Sequence, residues 1–349
     1  MAAATGGSIL HTSCRVKSGR KYDDIGRNEN IPRKRSMNSR QFKAVVMLLV
    51  TLAFVGSAVA DETSTTATET KETRPTLSLF QALVLGVIEG ATEYLPVSST
   101  GHLLIAEHLM GMDADERQKE AADSLAICIQ SGAILAVVML YFGRIRQIVI
   151  GVLGKSPDGL KLLINLVIAF FPAAVLALVL KDWVKQHLFG VMPVAAAQFV
   201  GGLIIIGYGV MTRKSNPDDG KEISEMSRGD ALLIGSLQCL AFWPGFSRSL
   251  ATILGCRFAK LKMMASVEFS FLLGLVTLTA ATGYEGLKHG KEMIADYGLA
   301  MPLVSLVTAF VAAVVSVRFM VGALGKYGLT PFGYYRILLA IACVLWLQH

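Results

Sequence analysis

Six apolar runs, at about 124–142, 162–180, 193–212, 263–283, 299–317 and 331–348, each approach the ~20 residues that a helix needs to cross a hydrocarbon core. A chain built from such runs satisfies its backbone at membrane depth as helices, so an all-α polytopic membrane protein is expected. Hydrophobic residues make up 53% of the sequence and charged residues 17%, which excludes an ordinary soluble domain. Two further apolar pairs, 77–95 with 97–112 and 229–243 with 245–258, are broken by Pro96 and Pro244. Backbone freed by such breaks is tolerable in a membrane only where it lines a polar cavity.

The broken pairs are related to each other. Ala82-Leu-Val-Leu-Gly86-Val-Ile-Glu89 matches Ala231-Leu-Leu-Ile-Gly235-Ser-Leu-Gln238, and each run leads to a Pro and a Ser-rich loop. If Asp61 emerges outside and 77–112 dips in and returns, then 113–123 is outside and 143–161 cytoplasmic. The loops 213–228, 257–262 and 318–326 follow on the cytoplasmic side, provided that 229–258 is re-entrant too. About thirteen Lys/Arg then fall inside and about eight outside, in the sense of the positive-inside rule. The expected fold is an inverted-topology repeat with two re-entrant broken helix pairs and about six transmembrane helices, the breaks meeting near the midplane.

Residues 1–75 carry twelve Lys+Arg against seven Asp+Glu, and so supply five of the net charge of +7. A solvated tail accounts for the basicity, and no nucleic-acid partner is expected. Residues 1–36 read as a disordered basic extension, or as sequence upstream of a true start at Met37. Residues 37–60 have the charged start, short apolar run and small-residue site of a signal peptide cleaved after Ala60, with an uncleaved first helix as the alternative. A polar linker, 61–76, leads to the membrane-embedded domain, 77–349. The five cysteines form no CxxC pair, and neither a disulfide framework nor a zinc site is indicated.

Chemistry concentrates in the two breaks, Glu89-Gly-Ala-Thr-Glu93-Tyr-Leu-Pro-Val-Ser98-Ser99-Thr100-Gly-His102 and Trp243-Pro-Gly-Phe-Ser247-Arg248-Ser249-Leu-Ala-Thr252. Glu89 and Glu93, one turn apart, project from one helix face. They suit a divalent cation, Mg2+ or Ca2+, or else a carboxylate raised toward general acid/base use. Ser98, Ser99 and Thr100 offer hydroxyls beside a helix N-terminus that attracts anions, and His102 adds a proton shuttle. Arg248, between Ser247 and Ser249, suits bidentate phosphate binding, with Thr252 facing the same way one turn on. A structural reading of Arg248 pairs it with Glu268 or a first-half carboxylate; Glu268 otherwise reads as support behind the site. Gln130 and Gln238 suit interhelical hydrogen bonds, and Tyr335-Arg336 suits snorkelling to an interface.

These two motifs, in this order, resemble the undecaprenyl-diphosphate phosphatase family of the bacitracin-resistance type, from about Leu77 to the C-terminus. The resemblance implies an inner-membrane enzyme that recycles the C55 lipid carrier for cell-wall synthesis and confers bacitracin resistance. It also implies a periplasm-facing site, a divalent cation and a polyprenyl diphosphate substrate lying in membrane lipid; assembly as a homodimer stays open. Carried over by motif, the functional residues are Glu89, Glu93, Ser99, His102, Ser247, Arg248 and Thr252; Leu250 stands where the family commonly has Gly. Diphosphate hydrolysis needs charge neutralisation, an in-line nucleophile and a protonated leaving oxygen. Two nucleophiles stay open: Ser99 activated by His102, or a water activated by Glu93 and His102. A transporter or scramblase of a polyprenyl phosphate carrier is the rival class, because broken inverted repeats also build transporters. An acid-phosphatase-like lipid phosphatase is disfavoured, because His289 and His349, the only histidines after Arg248, are not at its spacing.

Overall fold

The computed structural model describes residues 76–213 and 216–346; the extension 1–36, the signal peptide 37–60 and all but the end of the linker 61–76 lie outside the described residues. The chain forms helices α1 (Leu79–Thr92), α2 (Ser99–Leu109), α3 (Glu116–Leu140), α4 (Phe142–Val152), α5 (Pro157–His187), α6 (Val191–Met211), α7 (Arg228–Gln238), α8 (Arg248–Phe258), α9 (Met263–Tyr297), α10 (Ala300–Tyr327) and α11 (Thr330–Trp346). Five of them, α3, α5, α6, α9 and α10, are long and apolar enough to cross a membrane, as a multi-pass membrane protein requires. The sixth expected span, 331–348, is the 17-residue α11. Helix α4 was not expected, because Arg144, Arg146 and Gln147 interrupt its apolar residues and leave no continuous run.

Both broken pairs form where the prolines place them, and they match at a spacing of 149. Ser78 caps α1 in a capping box with Gln81, and Ser227 caps α7 in one with Asp230. A side-chain oxygen at these positions satisfies N–H groups that the first turn leaves free. The 14-residue α1 rises about 21 Å, well short of the ~30 Å hydrocarbon core. Gly86 and Gly235 hold the same position in the two pairs. A Cβ on Gly86 would lie 2.5 Å from the Ser305 carbonyl oxygen of α10, and one on Gly235 would lie 2.3 Å from that of Ala169 in α5. Close backbone approach therefore requires glycine at both.

The helix partners follow the same exchange. α1 lies on α10 and α7 on α5, while α3 pairs with α9 and α6 with α11. The open end of the first pair lies near the α9–α10 junction, where Leu77, Met110 and Met112 cluster with Tyr297 and Met301. The open end of the second lies at the start of α9, where Lys221 N–H bonds the Lys260 carbonyl at 2.8 Å and Lys262 N–H bonds the Lys221 carbonyl at 3.0 Å. The 35 residues of α9 separate these ends by about 50 Å.

Candidate active site

A helix broken inside an apolar medium must satisfy its freed carbonyls with side chains. At the first break four consecutive carbonyls are satisfied in this way. The Leu95 carbonyl accepts from the Ser249 hydroxyl at 2.7 Å, Pro96 from Arg336 Nη1 at 3.1 Å, Val97 from Gln198 Nε2 at 2.8 Å, and Ser98 from His102 Nδ1 at 2.7 Å. The second break is tied in by Arg336 Nη2, which donates to the Gly245 carbonyl at 2.8 Å, and by Trp243 Nε1, which donates to the Pro193 carbonyl at 3.0 Å.

Each break ends on a serine in the left-handed region, Ser98 at φ 67° and Ser247 at φ 80°. For a non-glycine residue this costs of order 1–3 kcal/mol, a strain that collects at functional sites. The sharp turn starts α2 at Ser99 and α8 at Arg248, which are themselves 149 positions apart. Both reach the same carboxylate. The Ser99 hydroxyl donates to Glu93 Oε2 at 2.5 Å, and Arg248 Nη2 donates to Glu93 Oε1 at 2.8 Å. Glu93 and Ser99 are buried, and the Arg248 side chain is only 12% exposed.

Arg248 is fixed from several sides. Nη1 donates to the Ser270 carbonyl at 3.2 Å, and Cζ stands 5.3 Å from the centroid of the Tyr94 ring. A Cβ on Gly274 would come within 2.0 Å of Nη1, so the guanidinium lies on bare α9 backbone. The ring of Tyr94 meets Phe271 edge-on at 5.1 Å. Three buried polar atoms here have no partner: Glu89 Oε1, Tyr94 Oη and Arg248 Nε. Unpaired polar atoms at membrane depth are costly, and three around one ion pair mark a place built for a polar ligand.

Several side chains make contacts other than those expected. His102 does not touch Ser99: its ring folds back one turn onto the Ser98 carbonyl, and Nε2 accepts from the Tyr335 hydroxyl at 2.6 Å. The carboxylate beside Ser99 is that of Glu93. Thr252 is fully buried, sharing a hydrogen bond with Ser270 Oγ at 2.6 Å and donating to the Arg248 carbonyl at 2.9 Å. The Ser247 hydroxyl accepts from Leu250 N–H at 3.3 Å and bonds Ser249 Oγ at 2.9 Å, serving as a cap. Ser98 contributes its carbonyl and makes no side-chain cap, while Thr100 sits half-buried in the first turn of α2.

Glu268, expected behind the site, pairs instead with Arg144 at 2.5 Å, because α4 carries that arginine against α9. Of the two glutamines, Gln130 does bridge helices, accepting from Thr282 at 3.0 Å, whereas both polar atoms of Gln238 are buried without a partner. Leu250 packs into the core, so its side chain does not narrow the ligand's space. Arg336 does not snorkel: it is fully buried. The signal for it was present, a charge inside the run 331–348, but its nearness to the start of that run favoured the interface.

Residues 82–342 match the family described as bacitracin resistance protein BacA. An undecaprenyl-diphosphatase of Sorangium cellulosum is 44% identical over 270 residues, 77% of this chain and 86% of the relative. Undecaprenyl-diphosphatase 2 of Rhodospirillum rubrum is 44% identical over 74% of this chain and 91% of its own. An undecaprenyl-diphosphatase of Maridesulfovibrio salexigens is 42% identical over 75% and 96%. The matched stretch takes in both breaks and every residue that meets at Glu93, and on that extent the chain belongs to the bacitracin resistance protein BacA family.

Proposed function

We infer that the protein removes the terminal phosphate of undecaprenyl diphosphate and so returns the lipid carrier as its monophosphate for cell-wall synthesis. The observation that carries this reading is the Ser99–Glu93–Arg248 cluster, with three unpartnered polar atoms around it. The activity for which the relatives are named supports the substrate. A phosphoryl group entering here displaces Arg248 from Glu93 and takes the guanidinium as a two-pronged donor, with Nε already free. Glu93, released from its cation, accepts the Ser99 proton as Ser99 Oγ bonds to the terminal phosphorus. The bridging P–O bond breaks, and its electron pair leaves with the prenyl monophosphate. Water then adds to the phosphoseryl group, and the proton held by Glu93 returns to Ser99, releasing inorganic phosphate.

Among the described residues, no three His, Cys, Asp or Glu side chains converge as a closed metal site. Mg2+ typically binds through one or two carboxylates plus substrate phosphates, and Glu89, whose Oε1 has no partner, fits that donor set, with Glu93 as a second ligand only while it does not hold the Ser99 proton. When bound there, the ion would supply neutralisation of the diphosphate charge. We also place the site open to the periplasm of the inner membrane, in an inverted repeat. The exchange of α1–α10 for α7–α5 supports the repeat, as do the open ends of the two pairs at opposite ends of α9.

Two experiments test this. Phosphate release by detergent-purified protein from a C55 prenyl diphosphate is expected; no release, from intact protein with Mg2+ present, removes the reading. In sealed spheroplasts, Ala114→Cys should react with an impermeant maleimide and Asp219→Cys should not. The reverse pattern would turn the site toward the cytoplasm.

A further inference from the structure

Neither the reaction above nor the sequence motifs give a task to Arg336. It lies on α11, outside both breaks, and is fully buried. All four of its hydrogen bonds go to backbone carbonyls: Nε to Gln198 at 3.3 Å, Nη1 to Pro96 at 3.1 Å, Nη2 to Ala197 at 3.2 Å and Nη2 to Gly245 at 2.8 Å. Pro96 and Gly245 stand 149 positions apart, at matching places in the two breaks. Each precedes by two residues the left-handed serine that starts the second helix of its pair, Ser98 and Ser247. One cation therefore holds the same carbonyl in both breaks, and braces the junction against α6 through two more.

The surroundings are shaped to this guanidinium. A Cβ on Gly201 would lie 2.3 Å from Arg336 Nη2, so α6 leaves the space open, as Gly274 does for Arg248. Gly202, next along α6, instead meets Ile337 and the Gly333 carbonyl and does not touch the guanidinium. Adjacent glycines thus separate two jobs, seating the cation and packing α6 on α11.

Resting on the phosphatase reading, we propose that Arg336 is a positioning residue. It fixes the two breaks relative to each other, so that Ser99 from one and Arg248 from the other meet at Glu93. A planar fork with five donors can reach four carbonyls on three segments; an ammonium, with three donors at a point, cannot. Arg248 has anchors of its own in Glu93, Ser270 and Gly274, so the affinity for phosphate is largely kept when Arg336 is lost. The alignment of the nucleophile is not kept.

The test compares Arg336→Lys, Gly201→Ala and Gly202→Ala with wild type in purified protein, reading kcat and KM per folded molecule together with melting temperature. Arg336→Lys and Gly201→Ala should each lower kcat by about 100-fold, the scale of a misplacement near 1 Å, with KM changed less than about threefold. Gly202→Ala should lower the melting temperature and leave kcat near wild type. Gly201→Ala keeps the arginine itself, so the test survives if Arg336→Lys does not fold. A wild-type kcat in either of the first two variants overturns the proposal, as does an equal kcat loss in Gly202→Ala. An inactive wild type would instead strike the phosphatase reading, which keeps the two failures apart.

Discussion

The two broken helix pairs share a backbone and divide the chemistry. Capping serine, close-approach glycine, left-handed serine and the start of the second helix recur at a spacing of 149, as Ser78 and Ser227, Gly86 and Gly235, Ser98 and Ser247, Ser99 and Arg248. Side chains at the positions that carry chemistry differ in kind. Where the first pair has Glu89, Glu93 and His102, the second has Gln238, Phe242 and Ala251. The first pair supplies the anion and a buried hydroxyl bonded to it, and the second supplies the cation. On the inferred repeat, the turns stay matched because both must end a helix sharply, while the side chains diverge because like charges facing each other would repel.

The largest effect should come from removing the contribution of the first pair. Ser99→Ala is expected to lower phosphate release by at least about 10,000-fold if it is the nucleophile, by analogy with losses on removing a hydrolase nucleophile. Residual activity within tenfold of wild type would favour an activated water. The contribution of the second pair should weigh less per substitution. Arg248→Lys retains charge but loses the fork, and a fall in kcat of about 100- to 1,000-fold is expected with folded yield maintained. Near-normal turnover would leave Arg248 as a mere partner of Glu93.

The matched pair Glu89 and Gln238 sharpens the contrast further. Glu89→Gln should raise the Mg2+ concentration needed for half-maximal activity after chelation with EDTA, by roughly tenfold, since loss of one supporting group at a metal site costs 10- to 100-fold. Gln238→Met should leave activity unchanged and raise stability by about 1 kcal/mol, because it removes two buried polar atoms that have no partner. An unchanged Mg2+ requirement for Glu89→Gln would take this carboxylate out of the cation's reach. The smallest effect is expected at Glu268→Gln: its pair with Arg144 is partly exposed, so about 1 kcal/mol or less of stability should be lost, with no change in kcat.

The sequence carried the fold well wherever a physical signal was local. Apolar runs marked the long spans, and Pro96 and Pro244 marked the breaks, because a helix at membrane depth has few ways to form and few ways to stop. Glu93, Ser99 and Arg248 were legible for a related reason, as polar groups that an apolar setting does not accept without a task. Partnerships were less legible. His102 and Ser99 are close in the chain, yet the ring bonds Ser98 and Tyr335, 233 residues away, and Glu268 finds Arg144 through a helix that no apolar run announces. Which polar side chains meet is decided by tertiary packing, and for Arg336 that packing gathers segments around Pro96, Gln198 and Gly245.

The contact between Glu93 and Arg248 is a built-in competitor for any anion that the guanidinium binds. A ligand must outbid a carboxylate for the guanidinium, and a singly charged anion gains little over what it displaces. A diphosphate headgroup, with its several negative charges, does gain. After cleavage each product carries less charge than the substrate, and the carboxylate returns to its arginine. Release of products is then favoured by the same contact that screens what may enter, and the turnover cycle closes on a neutral pair suited to waiting in a membrane.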